Sequence, residues 1–372
     1  MKIHVAIAAD EFDLLFSPEA QGRLRSLGRL EFGVEVPGDN SSDVLVTSWS
    51  TQPFPPERLG LADRPLLTTD RPPVATDGPG LASGRPPLAT DSLGLAGDRP
   101  LLETGRPPDL LAGGRLRLAV HSAGSVRRLF PRETLEAGLR VCQAGAAAMA
   151  PAVAELALTL TLALLRNLHH HDRTLWTTGD WREARQPVLG RSLAGRSVGI
   201  VGLGRAGRHY AQMVQALGAQ AVRAYDPFSA GAQGVELVGL AELFAASDVI
   251  AVHAPSTPQT HHLIGRKQLS ALPDGAVVIN TARSWVVDQD ALLEELVSGR
   301  LLAGLDVFDE EPLAASSPFL RLPNVIVTPH VAGGTFEARR TQGDIVVDEL
   351  ARFERGEPLQ HEVTLDRYDQ LA

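Results

Sequence analysis

Arg283, Glu311 and His330 carry the three side-chain types that acid–base work on a small carboxylic acid requires. An arginine fork can hold a carboxylate, a carbonyl oxygen, or both. A protonated imidazole can give its proton to a carbonyl oxygen while a hydride arrives at the carbon. In the reverse direction the same ring is a general base. A carboxylate beside it orients the ring and keeps it protonated near neutral pH. Arg283 follows Val277-Val278-Ile279-Asn280, Glu311 follows the run ending at Asp306-Val307, and His330 follows Val325-Ile326-Val327-Thr328-Pro329. Read singly, each has an ordinary structural reading: a helix-capping arginine, a loop glutamate, a histidine by a turn. Together they share one placement, just past the C-terminal ends of candidate parallel strands. That edge is where open α/β sheets take ligands.

A second constellation lies upstream. Val198-Gly199-Ile200-Val201 runs into Gly202-Leu203-Gly204-Arg205-Ala206-Gly207, and a helical stretch to Leu217 follows. A lone GxGxxG is weak, but here it follows a strand and opens a helix, as dinucleotide binding requires. Gly202 permits the tight turn, Gly204 lets backbone approach a pyrophosphate, and Gly207 lets helix and strand pack closely. The helix N-terminus offers unpaired N–H groups to the phosphates. The next strand ends in Asp226, about 20 residues past the glycines, where a carboxylate accepts from ribose hydroxyls and repels a 2′-phosphate. NAD is therefore expected over NADP. Arg223 precedes the acid along the strand and is not read as a phosphate contact.

The elements that must position these residues alternate. Strands are expected at 197–201, 222–225, 248–252, 276–280, 303–307 and 325–328, most of them separated by helical segments, with a long helix over 152–168 before them. That spacing gives a doubly wound parallel sheet. The first part also reads as α/β, with a buried strand at the N-terminus and others at 44–46, 116–120 and 139–142. Between them, residues 61–113 change composition and repeat imperfectly: Asp63-Arg64-Pro65-Leu66-Leu67 returns as Asp98-Arg99-Pro100-Leu101-Leu102. Frequent prolines break both ladders, so this stretch is expected to be a disordered low-complexity insertion.

The chain has 372 residues, 44% of them hydrophobic, enough for two cored domains. Its net charge of −9 does not suit a nucleic-acid or anionic-membrane binder. The single cysteine, Cys142, excludes an intramolecular disulfide framework and fits a reducing compartment. The apolar stretch 144–165 contains Pro151 and Glu155 and reads as a core helix rather than a membrane span. A cytoplasmic location is expected. His169-His170-His171 would end the long helix, where consecutive residues face different directions and cannot gather one metal. No metal is expected.

The motifs resemble the D-isomer-specific 2-hydroxyacid dehydrogenases, the family of phosphoglycerate, glycerate and D-lactate dehydrogenases. The similarity rests on Gly202 to Gly207, Val252-His253-Ala254-Pro255 with Thr257-Pro258 and Thr260, Asn280-Thr281-Ala282-Arg283 with Val287-Asp288, Leu305-Asp306-Val307-Phe308 with Glu311-Pro312, and Thr328-Pro329-His330. It covers about residues 153–335, and more weakly the rest outside the insertion. The resemblance implies that Arg283 binds substrate, Glu311 pairs with His330, and His330 is the acid/base. It implies cofactor contacts at Arg205, Ala206, His253, Pro255, Thr260, Thr281, Ala282 and Asp306, with Asp306 near the nicotinamide carboxamide. Ala123-Gly124-Ser125-Val126 would hold the substrate carboxylate through backbone N–H groups. The implied plan is a Rossmann NAD domain, 146–332, inserted in a smaller flavodoxin-like substrate domain formed by 1–145 and 333–372. Hinges would lie near Gly145 and Gly333. A homodimer through the nucleotide domains is implied, acting on a small D-2-hydroxy or 2-keto acid.

Ser284-Trp285 replaces two small residues often seen after the arginine, and Met149 stands where a polar residue is expected near substrate. Two rivals remain. An NAD(H)-sensing or corepressor-like protein would use the same fold without turnover. Formate oxidation is disfavoured, because the related formate enzymes place an amide where Glu311 stands.

Overall fold

The computed structural model describes residues 1–36, 41–54, 115–186 and 189–368. The low-complexity stretch 61–113 lies outside them.

Two parallel sheets organise the chain. The first contains β1 (Lys2–Ala6), β2 (Arg29–Phe32), β3 (Val44–Thr47), β4 (Leu118–His121) and β5 (Arg140–Gln143) in the order β2-β1-β3-β4-β5. Every pair is parallel, and this is the flavodoxin-like order. Helices α1 (Ala9–Leu15), α2 (Pro18–Leu27) and α3 (Arg132–Glu136) connect the strands. Ser17 starts α2 by accepting the Ala20 N–H, with Pro18 at the first helical position. All residues of β3 and β4 are buried, as a sheet covered on both faces demands.

The chain leaves this sheet through α4 (Gly145–Ala148) and α5 (Ala150–Leu165), passes α6 (Leu168–Thr178) and α7 (Trp181–Ala184), and enters the second sheet. Its strands are β6 (Ser197–Val201), β7 (Ala221–Tyr225), β8 (Glu236–Leu237), β9 (Val249–Val252), β10 (Val277–Asn280), β11 (Leu302–Leu305) and β12 (Val325–Val327). The order β8-β7-β6-β9-β10-β11-β12 is the doubly wound dinucleotide-binding order with one further strand. Helices α8 (Arg205–Ala216), α9 (Leu240–Ala245), α10 (Arg266–Ala271) and α11 (Gln289–Val297) are the crossovers. After β12, α12 (Phe336–Arg355) returns to the first sheet and buries Val346, Val347 and Leu350 with Ile3, Val5, Leu15 and Phe16. A short α13 (Leu365–Tyr368) closes the described chain.

The expected long helix is instead two. It stops at Leu165 because Asn167 turns left-handed, with φ +52°. His169 to His171 therefore open α6 rather than end a helix. Two of them bond backbone carbonyls, His169 Nε2 to Pro323 at 2.9 Å and His171 Nδ1 to Ala184 at 2.7 Å, instead of facing solvent. Trp176 lies within α6 and Trp181 begins α7. Strands β2 and β8 were not foreseen. Neither has a buried residue to mark it by alternation. Among the described residues no single helix is long and apolar enough to cross a membrane.

Candidate active site

The glycine turn between β6 and α8 is built as a phosphate cradle. Gly202 has φ +94°, and a Cβ there would lie 2.6 Å from the Ala254 nitrogen. A Cβ on Gly207 would meet the Gly202 carbonyl at 2.2 Å. A Cβ on Gly204 would meet nothing within 4 Å, so the backbone at the N-terminus of α8 faces open space, with Arg205 and Ala206 in the first turn. That is the approach a diphosphate needs. Asp226, just past β7, accepts from the Leu203 N–H at 2.8 Å and the Phe228 N–H at 2.9 Å. Its carboxylate is thereby tied to the glycine turn. These residues fit a dinucleotide.

Beyond β9, His253 leans on the Tyr210 ring at 5.3 Å. Both its ring nitrogens are buried without a partner, and burial pushes its pKa down to about 4, so the ring is neutral. Thr260 accepts from the Thr257 N–H at 2.8 Å and donates to the Pro255 carbonyl at 2.6 Å. Its hydroxyl therefore shapes the 255–260 turn.

Between the sheets lies a cleft of about 590 Å³. The first sheet contributes the loops after β3 and β4, including Trp49, Ala123, Gly124 and Ser125. The second contributes Thr281, Arg283 and His330. Among the described residues, the N–H groups of Gly124, Ser125 and Val126 have no acceptor in the protein. The Val126 side chain itself turns into the core. Thr281 Oγ1 is buried without a partner.

Asn280 sets the turn that presents Arg283. Its side chain accepts from the Ala282 N–H at 3.1 Å and donates to the Arg283 carbonyl at 2.9 Å. The guanidinium donates to the Ala282 carbonyl at 2.6 Å. Burial lowers its pKa, and the nearby Glu311 charge opposes that shift. Glu311 Oε2 lies 2.7 Å from His330 Nδ1, and Glu311 Oε1 accepts from the Phe308 N–H at 3.0 Å. Burial pulls the Glu311 carboxyl upward. The hydrogen bonds from His330 and Phe308, with the charges of His330 and Arg283, outweigh it and hold the group below the usual carboxylate range.

His330 has φ +53°, a left-handed conformation that non-glycine residues rarely adopt. Asp306, fully buried, holds it there. One carboxylate oxygen accepts from the Thr328 hydroxyl and the Val331 N–H, the other from the Ala332 N–H. Asp306 thus grips the chain on both sides of the histidine. This clamp was not among the expectations for Asp306, which concerned the nicotinamide.

The cleft also contains residues the sequence did not single out: Trp49, His121, Arg128 and Arg339. Glu11 fixes the loop carrying Trp49, accepting from the Ser48 hydroxyl, the Trp49 N–H and the Ser50 N–H at 3.0 Å. His121 bonds Thr47 Oγ1 at 2.9 Å, and burial pushes its pKa down to about 4. The one available signal was a Trp directly after a buried strand. Met149 does line the cleft. Trp285 does not: it packs on His261 at 4.1 Å and donates to the Thr257 carbonyl at 2.8 Å.

A family model described as "D-isomer specific 2-hydroxyacid dehydrogenase, NAD binding domain" matches residues 158–332. The chain is 39% identical over 217 residues to the D-3-phosphoglycerate dehydrogenase of Archaeoglobus fulgidus, covering 57% of this chain and 40% of that protein. It is 35% identical over 243 residues to the hydroxypyruvate reductase of Thermotoga maritima, covering 64% of this chain and 78% of that protein. The chain belongs to the D-isomer-specific 2-hydroxyacid dehydrogenase family. Residues 158–332 are the NAD-binding domain of such a dehydrogenase. The structure of a D-2-hydroxyisocaproate dehydrogenase superposes with a TM-score of 0.73 at 25% identity, covering 98% of this chain and 100% of that one. The family likeness is partial in length: the chain spans less than half of the phosphoglycerate dehydrogenases it matches.

Proposed function

We propose that this chain reduces a small 2-keto acid to the D-2-hydroxy acid with NADH, and catalyses the reverse with NAD. The observation that carries this reading is the 2.7 Å contact between His330 Nδ1 and Glu311, in a cleft shared with Arg283. With Nδ1 engaged by the carboxylate, Nε2 is left for substrate. NADH, held at the Gly202–Gly207 turn and Asp226, would supply a hydride for C2 of the keto acid. His330 gives the Nε2 proton to the carbonyl oxygen, so the C=O π bond becomes a C–H and an O–H bond. Glu311 stabilises the imidazolium before the transfer and orients the ring. Arg283 anchors the carboxylate or carbonyl oxygen, and the N–H groups of 124–126 take the carboxylate. Residues 146–332 act as the NAD domain, swinging on the crossings near Gly145 and Gly333 against 1–145 and 333–372.

The test is NADH oxidation with a panel of 2-keto acids, wild type against His330→Ala. The variant should lose about 10²–10⁴ in kcat, the usual worth of general acid catalysis, while NADH binding stays close to wild type. Equal turnover by both proteins would remove His330 from the mechanism.

A homodimer is part of the proposal. Trp176, Trp181 and Leu189 are exposed together on the segment joining α5 to β6, an apolar set that a second copy would cover. Sedimentation velocity should show a dimer, and Trp176→Asp with Trp181→Asp should give a monomer.

A further inference from the structure

The charge of the cleft is opposite to that of the protein. The chain carries a net −9, yet the residues lining the cleft include Arg128, Arg283 and Arg339 and no Asp or Glu among the described residues. A monocarboxylic keto acid uses Arg283 and the N–H groups of 124–126. Two guanidinium groups are then left over.

Neither makes an ion pair among the described residues. Arg128 is exposed at the cleft and has no hydrogen bond or ion pair among the described residues. Arg339 lies flat on the Trp49 ring at 3.6 Å and makes a hydrogen bond of 3.4 Å to Gln342. Glu11 lies nearby, but its oxygens are taken by Ser48, Trp49 and Ser50, and it forms no ion pair with Arg339. Burial lowers the Arg339 pKa, and the Glu11 charge opposes this. A half-buried guanidinium that makes no ion pair is costly, and an incoming anion recovers part of that cost. The Trp49 ring and the Gln342 amide hold the Arg339 guanidinium at the cleft, where its planar fork can meet an anion. The guanidinium also covers one face of Trp49, which removes much of the apolar wall that a hydrocarbon side chain would need.

We propose that the substrate is a 2-keto acid whose side chain ends in a second anionic group, a carboxylate or a phosphate, seated by Arg128 and Arg339. This rests on the keto-acid reading of the site and specifies its substrate class. The far anion enters with the reacting carboxylate at Arg283 and its tail toward the loops after β3 and β4. Trp49 acts through Arg339 as a positioning residue.

The experiment compares acids matched in size and differing in charge: 2-oxoglutarate against its neutral amide 2-oxoglutaramate, with 3-phosphohydroxypyruvate and 4-methyl-2-oxopentanoate as further arms. The dianions should show kcat/KM higher by about tenfold or more, mostly through KM, since two charge-assisted contacts are gained in binding. The preference should shrink as ionic strength rises. Arg128→Ala and Arg339→Ala should each narrow the ratio, Arg339→Lys should restore part of it, and the carboxylate and phosphate arms tell which anion fits. Calorimetric binding of the same acids to the NAD-loaded protein makes the comparison without turnover. A dianion preference in binding without turnover would sink the dehydrogenase reading and keep this one. Equal kcat/KM and equal affinity for dianion and amide, or a preference untouched by both arginine changes, would overturn it.

Discussion

The two walls of the cleft are made differently. The wall from the second sheet presents Arg283 and His330 at the ends of β10 and β12, and each is held by its own neighbourhood: Asn280 for the arginine turn, Asp306 for the histidine loop. The wall from the first sheet presents Trp49, Arg128 and Arg339, which come from the loop after β3, the loop after β4 and α12. It is assembled by packing between segments distant in sequence. Local geometry fixes the chemistry, and long-range packing fixes what the chemistry is offered. A change on the first wall should alter which acid is used. A change on the second should alter whether anything is used.

The sharpest way to break this contrast is at Asp306. Asp306→Ala leaves the Val331 and Ala332 N–H groups without their acceptor and removes the restraint on a left-handed histidine. Turnover should fall by about two orders of magnitude and stability by roughly 2–4 kcal/mol, as for other broken buried networks. Keto-acid assays and denaturant melts measure the two, and a fully active variant would show that the loop holds itself. A smaller effect is expected at the nucleotide end. Wild type should bind NADH about tenfold more tightly than NADPH, a difference of ~1.4 kcal/mol, and Asp226→Ala should narrow that gap. Fluorescence titration with both cofactors decides it, and equal wild-type affinities would remove Asp226 as the discriminator.

The smallest effect concerns the buried histidines, one beneath each wall. His121 and His253 titrate at about 4 because burial disfavours the charged ring. The unfolded chain takes up these protons near pH 6.5, so between about 6.5 and 4 it binds more protons than the native state. Their stabilising contribution is complete above about pH 6.5 and declines as pH falls toward 4. Glu311, held low, loses its contribution on the acid side as well. Urea melts against pH should show stability rising through this window, and His121→Asn should flatten the slope. An unchanged slope would mean His121 is not a buried neutral ring.

The legible parts of the molecule were those in which one segment carries its own instruction. Gly202 to Gly207 announce the turn because Gly202 and Gly207 each answer a local steric demand and Gly204 leaves the backbone open. The placement of Arg283, Glu311 and His330 past strand ends was readable from the runs preceding them, and the doubly wound parallel sheet from the alternation of strands and helices. The α5–α6 break was not readable, because nothing in Arg166-Asn167 forces a left-handed residue there. The clamp of Asp306 on Val331 and Ala332 was not readable, because it exists only once β11 and β12 lie side by side. The stack of Arg339 on Trp49 joins opposite ends of the chain and left no local trace.

Met149 ties the crossing points to the substrate loop. A Cβ on Gly145 would strike the Ala123 carbonyl at 2.0 Å, one on Gly333 would strike Met149 Sδ at 2.7 Å, and one on Gly124 would touch Met149 Cε at 3.4 Å. The Met149 side chain thus fills the space beside Gly333 and Gly124, and the Met149 backbone N–H donates to the Gly145 carbonyl at 3.0 Å. Were the two sheets to swing on these crossings as proposed, the rotation would press on the 123–126 backbone through the polarizable, unbranched side chain at 149, so that opening and grip would be coupled.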